Sequence, residues 1–215
     1  MEKYDVIIVG GGAGGAFAAY ELTKLNSELS TIIIEKGAPL NKRRCPILEG
    51  KTEVCVKCRP CRIMSGYGGA GTLSDGKYNI TTKFGGDLHK IVGHNEAMKL
   101  MEYIDEVLCG FGGSDAKLYS TGNSNLKTEA LKNNMNLLDA KVRHLGTDRN
   151  REILDKMYNY TIKNKNIKFS FFTEVVCVNK KDNCFIVKTD DGHEIECKYL
   201  VLASGRFSLD RKSVV

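Results

Sequence analysis

The chain has 215 residues, 42% of them hydrophobic, which is enough to bury the core of one domain or slightly more. Its net charge of +6 is concentrated, because residues 41–62 contain seven Lys or Arg against two Glu. This argues against a basic face along the whole chain, as nucleic-acid binding would need, and favours a local site for phosphates or an anionic cofactor.

The amino terminus shows no targeting pattern. Met1-Glu2-Lys3 precedes only a short apolar run, residues 6–9, before glycines begin, so neither a signal peptide nor a membrane span is predicted. We therefore expect a cytoplasmic protein. In that compartment its eight cysteines should be reduced thiols or ligands rather than disulfides.

The first predicted elements form a β-α-β unit. Residues 5–9 (DVIIV) are an unbroken β-branched run, typical of a strand buried on both faces of a parallel sheet. Good helix formers follow at 16–25, and the pair 26–27 (NS) is the predicted helix end. Residues 31–34 (TIII) are a second buried strand that closes on Glu35, which completes a unit of the usual length.

A glycine motif joins the first strand to the helix. The pattern is Gly10-x-Gly12-x-x-Gly15. The first glycine permits a tight turn, the second lets backbone approach a pyrophosphate, and the third lets helix and strand pack closely. The helix amino terminus offers N–H groups and a positive dipole to phosphates, and Glu35 is placed to accept hydrogen bonds from a ribose diol. Together these features predict a dinucleotide-binding site.

The pattern changes after the β-α-β unit. A loop rich in charge and cysteine is predicted at 37–62, a glycine-dense stretch at 63–86, a helix at 88–108, an ambiguous segment at 111–136 and a helix at 149–163. Three strands then read IKFSFFTEVVCVN, CFIVKTDDG and HEIECKYLVLASG, with a hairpin turn at Asp190-Asp191-Gly192. The last section is therefore predicted to be a three-stranded β-meander.

This arrangement separates two classes of dinucleotide-binding protein. A nicotinamide-dependent dehydrogenase would be expected to continue with further βα units, whereas this chain has a glycine-rich loop and a meander ending in Ala203-Ser204-Gly205. It resembles the two-dinucleotide-binding-domain flavoproteins, and within them the bacterial FAD-dependent dehydrogenases of uncharacterised function. The resemblance rests on CPI…CxxCxxCRI, GYGGAGTLSDGKYNIT and RHLGTD, and it covers residues 4 to about 207.

The resemblance implies an α/β fold, with a Rossmann-like FAD-binding parallel sheet, a β-meander and a mostly helical insertion. It places the FAD-binding domain in residues 1–87 and 141–207, and the helical insertion toward a substrate domain in 88–140. Related proteins continue for a comparable length after Gly205. We therefore expect this chain to be an amino-terminal part, with 208–215 (SLDRKSVV) a tail outside the family pattern.

The residues expected to bind FAD form three groups. The phosphate loop and the end of the second strand hold the AMP half, and the glycine-rich loop follows the cofactor toward the flavin. The third group lies on the strand before the meander, which lends backbone groups to the adenine, and at the end of the strand that returns beside the nucleotide. The first group is Gly10, Gly12, Ala13, Gly14, Gly15, Glu35 and Lys36, the second is Gly68, Gly69, Ser74, Asp75 and Lys77, and the third is Val176 and Gly205. The alternative for the second group is a mobile surface loop in which Asp75 only caps a turn.

Four cysteines lie in the charged loop. They are Cys45, Cys55, Cys58 and Cys61, and the last three follow a C-x2-C-x2-C spacing. This spacing is close to that of iron–sulfur ligands, and the basic residues around them would offset a negative cluster. Zinc is a second interpretation. Thiols that exchange electrons with the flavin, or thiols with no special role, are the remaining alternatives.

The segment RHLGTD precedes the predicted helix at 149–163. Thr147 or Asp148 is therefore the expected N-cap. His144 is the one catalytic candidate, as an acid or base on the substrate side of the flavin, with a structural role as the alternative.

The predicted function is that of an FAD-dependent oxidoreductase, a dehydrogenase that transfers a hydride between flavin and an unidentified substrate, with NAD(P)H as a candidate co-substrate. Three alternatives stay open. The first is an electron-transfer or redox-sensing flavoprotein module that uses the four cysteines. The second is a simple NAD-binding dehydrogenase, and the third is a fragment that binds nothing durably.

Overall fold

The computed structural model describes residues 1–25 and 28–205. The predicted helix end at 26–27 and the predicted tail at 208–215 lie outside these residues. The chain divides into two compact units, the first made of Met1–Thr72 with the chain from Asp155 onward, and the second of Leu73–Leu154. These boundaries differ from the predicted 1–87, 88–140 and 141–207, because residues 77–80 pair with 141–144 inside the second unit.

The first unit is built on a six-stranded sheet. Its strands are β1 (Glu2–Val9), β2 (Thr31–Glu35), β6 (Ile167–Phe171), β7 (Val175–Lys181), β8 (Cys184–Thr189) and β9 (Glu194–Leu202). The order is β6-β2-β1-β9-β8-β7, in which the first four strands are parallel and β8 runs antiparallel to both of its neighbours, β9 and β7. The α/β class, the parallel sheet and the meander are thereby confirmed.

The run predicted as the first meander strand is two strands. β6 belongs to the parallel part of the sheet, and β7 begins the meander. Between them Phe172 has a φ of +60°, a left-handed conformation that is rare for a bulky residue and turns the chain out of the strand. The Phe172 N–H donates to the Gly37 carbonyl (3.1 Å) and the Thr173 N–H to the Glu35 carbonyl (3.2 Å), so the turn lies against the end of β2.

Alternate residues of β1 pack on opposite faces of the sheet. Ile7 belongs to a core cluster with Val187 on the side of the meander. Val6 and Ile8 belong to a second cluster that includes Ala19 of helix α1 (Ala13–Lys24). Burial on both faces explains why the strand is continuously apolar instead of alternating.

The second unit contains a three-stranded antiparallel sheet and most of the remaining helices. Its elements are β3 (Lys77–Ile80), α2 (Leu88–Val92), α3 (His94–Leu108), β4 (Leu118–Ser120), α4 (Ser124–Lys132) and β5 (Lys141–His144), in the sheet order β3-β5-β4, and α5 (Thr147–Thr161) begins here. The helix predicted at 88–108 is interrupted at Gly93, whose φ is +84°. The ambiguous segment 111–136 holds β4 and α4.

A buried ion pair connects α3 to β5 in the second unit. Arg143 donates from Nε to Asp105 Oδ1 (2.7 Å) and from Nη2 to Oδ2 (2.8 Å), and its Nη1 also donates to the Ala116 carbonyl. Asp105 and Arg143 are 8% and 9% exposed. Because the pair is bidentate and both side chains are shielded from water, it holds the helix to the sheet in one register.

The helices of residues 1–25 and 28–205 are all too short or too polar to cross a bilayer.

Candidate functional site

The predicted phosphate loop lies where β1 ends and α1 begins. The Gly10 N–H donates to the Ile34 carbonyl (2.8 Å), which ties the loop to the end of β2. Helix α1 begins at Ala13, three residues earlier than predicted, with Gly12 as its N-cap. Within the described part of the chain, no side chain caps the N–H groups at this helix start, and no acidic residue occupies the first turn. The positive end of the helix is therefore available to an anion.

The glycines of the loop are required for different reasons. A Cβ on Gly15 would lie 1.9 Å from the Gly10 carbonyl oxygen, and a Cβ on Gly10 would lie 2.5 Å from the Ala203 carbonyl oxygen. Close packing of the protein's own backbone thus excludes side chains at both positions. A Cβ on Gly12 would meet only Gly69 Cα, at an ordinary 3.8 Å. The open space at Gly12 is what approach of a diphosphate needs, so the loop fits a dinucleotide.

Glu35, the last residue of β2, binds the phosphate loop through its carboxylate. Its carboxylate is almost fully buried, with the residue 6% exposed. Oε2 accepts from the Gly11 N–H (2.7 Å), and Oε1 accepts from the N–H groups of Gly37 (2.7 Å) and Gly66 (2.9 Å). Each carboxylate oxygen offers two lone pairs, so Oε1 is saturated and Oε2 keeps one acceptor position. The predicted contact with a ribose diol is therefore limited to one hydroxyl.

The Glu35→Gln protein is expected to unfold with a free energy about 1–3 kcal/mol lower than that of the wild type, because one backbone N–H must then face an amide NH2 group in a buried site. Urea denaturation of both proteins measures the difference. Glu174→Gln is the matched control, since Glu174 forms only an exposed ion pair with Lys36 and its loss should change the stability by less than about 1 kcal/mol. Equal losses in the two variants would contradict this account of Glu35.

The remaining candidates of the first unit lie beside the phosphate loop, directly after a strand, or on the meander. Gly68 donates its N–H to the Gly11 carbonyl (2.8 Å), and a Cβ on Gly69 would lie 3.2 Å from Gly12 Cα, so this loop touches the phosphate loop. Lys36 directly follows Glu35, and Gly205 (φ +74°) follows the end of β9. Val176 lies on β7 and is 58% exposed.

The other candidates lie in the second unit and are neighbours there. Lys77 of β3 is the register partner of His144 in β5. Lys77 Nζ pairs with Asp75 Oδ2 at 2.8 Å, and this hydrogen bond is the main cause that lowers the pKa of Asp75, with a smaller contribution from His144. Ser74 Oγ accepts from the Gly76 N–H (3.3 Å). The structure therefore assembles Asp75, Lys77 and His144 into one polar group.

The predicted N-cap of the following helix is displaced. α5 begins at Thr147, and Asp148 is an acidic residue of its first turn. Both residues are therefore inside the helix. The Asp148 carboxylate is placed to interact favourably with the positive helix end, which is a different contribution from capping.

The four loop cysteines are not gathered into a ligand set. Within residues 1–25 and 28–205, no group of three or more His, Cys, Asp or Glu side chains is close enough to hold a metal ion. All eight cysteines are free thiols, and Cys55 and Cys61 are exposed. Their spacing in the sequence limits how far apart they can be, but it does not determine how the loop folds.

Cys197 is expected to resist alkylation in the folded protein. It is 1% exposed, and burial raises the pKa of its thiol to about 11. Because the thiolate is the nucleophile, its fraction is small at neutral pH and grows only as the pH approaches that value. Iodoacetamide at neutral pH should modify Cys55 and Cys61 and should modify Cys197 only after unfolding, as mass spectrometry of peptides can show. Equal rates at Cys55 and Cys197 would contradict the burial.

Comparisons with known proteins agree with this geometry. Residues 5–43, which contain most of β1, the phosphate loop, α1 and β2, match the family model of the FAD binding domain. No curated protein matches the chain.

Solved structures share the fold at low sequence identity. Glycine oxidase from Geobacillus kaustophilus has a TM-score of 0.54 at 19% identity, covering 95% of this chain and 56% of that one. NikD, an amino acid oxidase of nikkomycin biosynthesis, has a TM-score of 0.53 at 12% identity, covering 97% and 53%. The p-nitrophenol 4-monooxygenase PnpA from Pseudomonas putida DLL-E4 has a TM-score of 0.51 at 12% identity, covering 99% and 44%. The chain spans about half the length of these structures.

Proposed function

We propose that this protein is an FAD-dependent oxidoreductase whose phosphate loop and Glu35 hold the ADP part of the cofactor. The observation that carries the proposal is the open approach at Gly12, between the end of β1 and the uncapped start of α1. The match of residues 5–43 to the FAD binding domain supports FAD over other dinucleotides. Three solved structures that share the fold are two oxidases and a monooxygenase by their names, which supports redox chemistry.

The residues of the first unit have distinct tasks in this proposal. The N–H groups at the start of α1 bind the diphosphate, which approaches over Gly12. Oε2 of Glu35 accepts a hydrogen bond from one ribose hydroxyl. Lys36 and Val176 are assigned to the adenine end, and Gly205 to the phosphates. These tasks are binding and orientation, and none of the groups needs to change protonation.

The polar group of the second unit is assigned to the flavin half. Bound FAD supplies two-electron chemistry, in which a hydride is exchanged with a substrate. Ser74, Asp75 and Lys77 are proposed to contact the cofactor. His144 is proposed to hold or release a proton at a substrate atom, because an imidazole can serve as a general acid or base and His144 is the register partner of Lys77.

We extend the proposal to a co-substrate, a metal centre and a compartment. NAD(P)H is a candidate co-substrate, and an iron–sulfur cluster at Cys45, Cys55, Cys58 and Cys61 would require the loop to fold differently around the metal. Free thiols at all eight cysteines are usual in a reducing compartment, and on that ground we place the protein in the cytoplasm.

The experiment that tests the enzyme class is anaerobic reduction of the FAD-loaded protein. NADH, NADPH and a set of amino acids and amines are added in turn, and the visible flavin absorbance is followed. The proposal expects one donor to bleach the flavin and air to restore its colour. His144→Asn should slow the bleaching, whereas His193→Asn, at an exposed hairpin residue, should not. Bleaching by dithionite alone, with iron and labile sulfide in the protein, would instead support the electron-transfer module.

A further inference from the structure

Arg43 is an unusual buried cation in the first unit. It is 2% exposed, although arginine is seldom fully buried without a specific set of partners. Its Nε donates to the Arg62 carbonyl (3.1 Å), its Nη1 to the carbonyls of Tyr67 (2.7 Å) and Gly69 (2.8 Å), and its Nη2 to the Ile63 carbonyl. One guanidinium thus gathers four carbonyl groups from residues 62–69, which we call the covering loop.

Two N–H groups of the covering loop are bound by other parts of the first unit. Gly66 donates to Glu35 Oε1 (2.9 Å), and Gly68 donates to the Gly11 carbonyl (2.8 Å). A buried cation therefore organises four carbonyls of the loop, while a buried carboxylate and the phosphate loop receive two of its N–H groups. Glu35 is the last residue of β2 and Arg43 lies in the segment that follows it, so one stretch of chain fixes the covering loop with both charges.

The packing leaves the covering loop a single position. A Cβ on Gly37 would lie 2.2 Å from the Gly66 nitrogen, and a Cβ on Gly66 (φ +118°) would lie 2.7 Å from Arg43 Cδ. The Tyr67 ring is fully buried, with ring centroids 5.1 Å from Tyr158 and 5.8 Å from Phe169. A loop anchored in this way holds Gly68 and Gly69 against the phosphate loop in one conformation.

We infer that Arg43 is a positioning residue for FAD binding, which acts through the covering loop and without contacting the cofactor. The inference rests on the proposed function, because it takes Gly12 as the place where the diphosphate approaches. Arg43 holds Gly69 at the distance from Gly12 that leaves this approach open. Lysine cannot replace it, because an ammonium group is a single point with three donors, whereas the planar fork reaches four carbonyls at once.

The test combines FAD titration with amide hydrogen exchange in the wild type and in Arg43→Lys. The matched control is Arg44→Lys, since Arg44 is the adjacent arginine, its side chain is 70% exposed and it pairs only loosely with Glu49 (3.7 Å). We expect Arg43→Lys to weaken FAD binding about tenfold or more and to speed exchange in residues 62–69 of the apoprotein. Arg44→Lys should change neither quantity.

The outcomes separate this inference from the proposed function. A wild type that binds no FAD would refute the proposed function. A wild type that binds FAD, with a folded Arg43→Lys protein that binds it equally well, would overturn the inference, and so would faster loop exchange without any loss of affinity, since that describes a structural role only. If Arg43→Lys does not fold, Arg43→Gln, which keeps two donors and removes the charge, is tested by the same criteria.

Discussion

The Gly15→Ala protein is expected to lose about 3 kcal/mol or more of its unfolding free energy and to retain no FAD. A single methyl group at this position would lie 1.9 Å from the Gly10 carbonyl oxygen and 3.3 Å from the Ile8 side chain. The obstacle is backbone, so β1 and α1 must separate to admit it, and overpacking of this kind is costly. The separation also moves the start of α1 away from the position that binds phosphate. Urea denaturation and FAD titration measure the two effects.

Gly14→Ala is the control for this prediction. Its Cβ would meet Ala203 Cβ at 3.6 Å, an ordinary contact, and alanine favours a helix over glycine by up to about 1 kcal/mol. We expect this variant to be as stable as the wild type or slightly more stable. If Gly14→Ala and Gly15→Ala were destabilised equally, close packing of α1 on β1 would not be the reason for the third glycine of the motif.

The Asp105→Asn protein is expected to lose about 3–5 kcal/mol of unfolding free energy in the second unit. The change keeps the shape of the side chain but leaves the Arg143 guanidinium as an uncompensated charge that is 9% exposed. Loss of one partner of a buried pair has this large effect because the other charge stays out of water. Denaturation followed by circular dichroism gives the free energy, and hydrogen exchange in β5 reports the loss locally.

Glu102→Gln is the control for the ion pair. Glu102 lies on the same helix and pairs with Lys141 of the same strand at 2.9 Å, but both side chains are nearly half exposed (45% and 46%). Water screens such a pair, so its loss should change the stability by less than about 1 kcal/mol. A similar cost for Asp105→Asn and Glu102→Gln would mean that burial does not determine the contribution of these pairs.

The part of the fold that could be predicted from the sequence is the part that local physics determines. A strand that is apolar on both faces, a glycine turn and a small-residue helix reveal their structure within residues 5–35. The turn at Phe172 could not be predicted in this way, because a left-handed conformation is expected at glycine and this residue is bulky. Tertiary hydrogen bonds to the end of β2 hold it there, and no local pattern encodes them.

The candidate site was predictable to a similar extent. The spacing of Gly10, Gly12 and Gly15 indicated the phosphate loop, but the saturation of Glu35 by three backbone N–H groups depends on loops that are far apart in the sequence. The basic segment 41–62 indicated an anion site, whereas Arg43 within it binds carbonyl groups of the protein. Arginine is usually exposed, so its type gave no sign that this residue is buried.

The measurement that tests the central claim most directly is the FAD affinity of Gly12→Ala beside that of the wild type. A Cβ at Gly12 has room among the protein atoms, so the variant should fold with nearly wild-type stability. The methyl group would occupy the approach of the diphosphate, and we expect FAD binding to weaken by about tenfold or more. A wild type without affinity for FAD, or a Gly12→Ala protein that binds FAD as tightly as the wild type, would contradict the assignment of this loop as the FAD site.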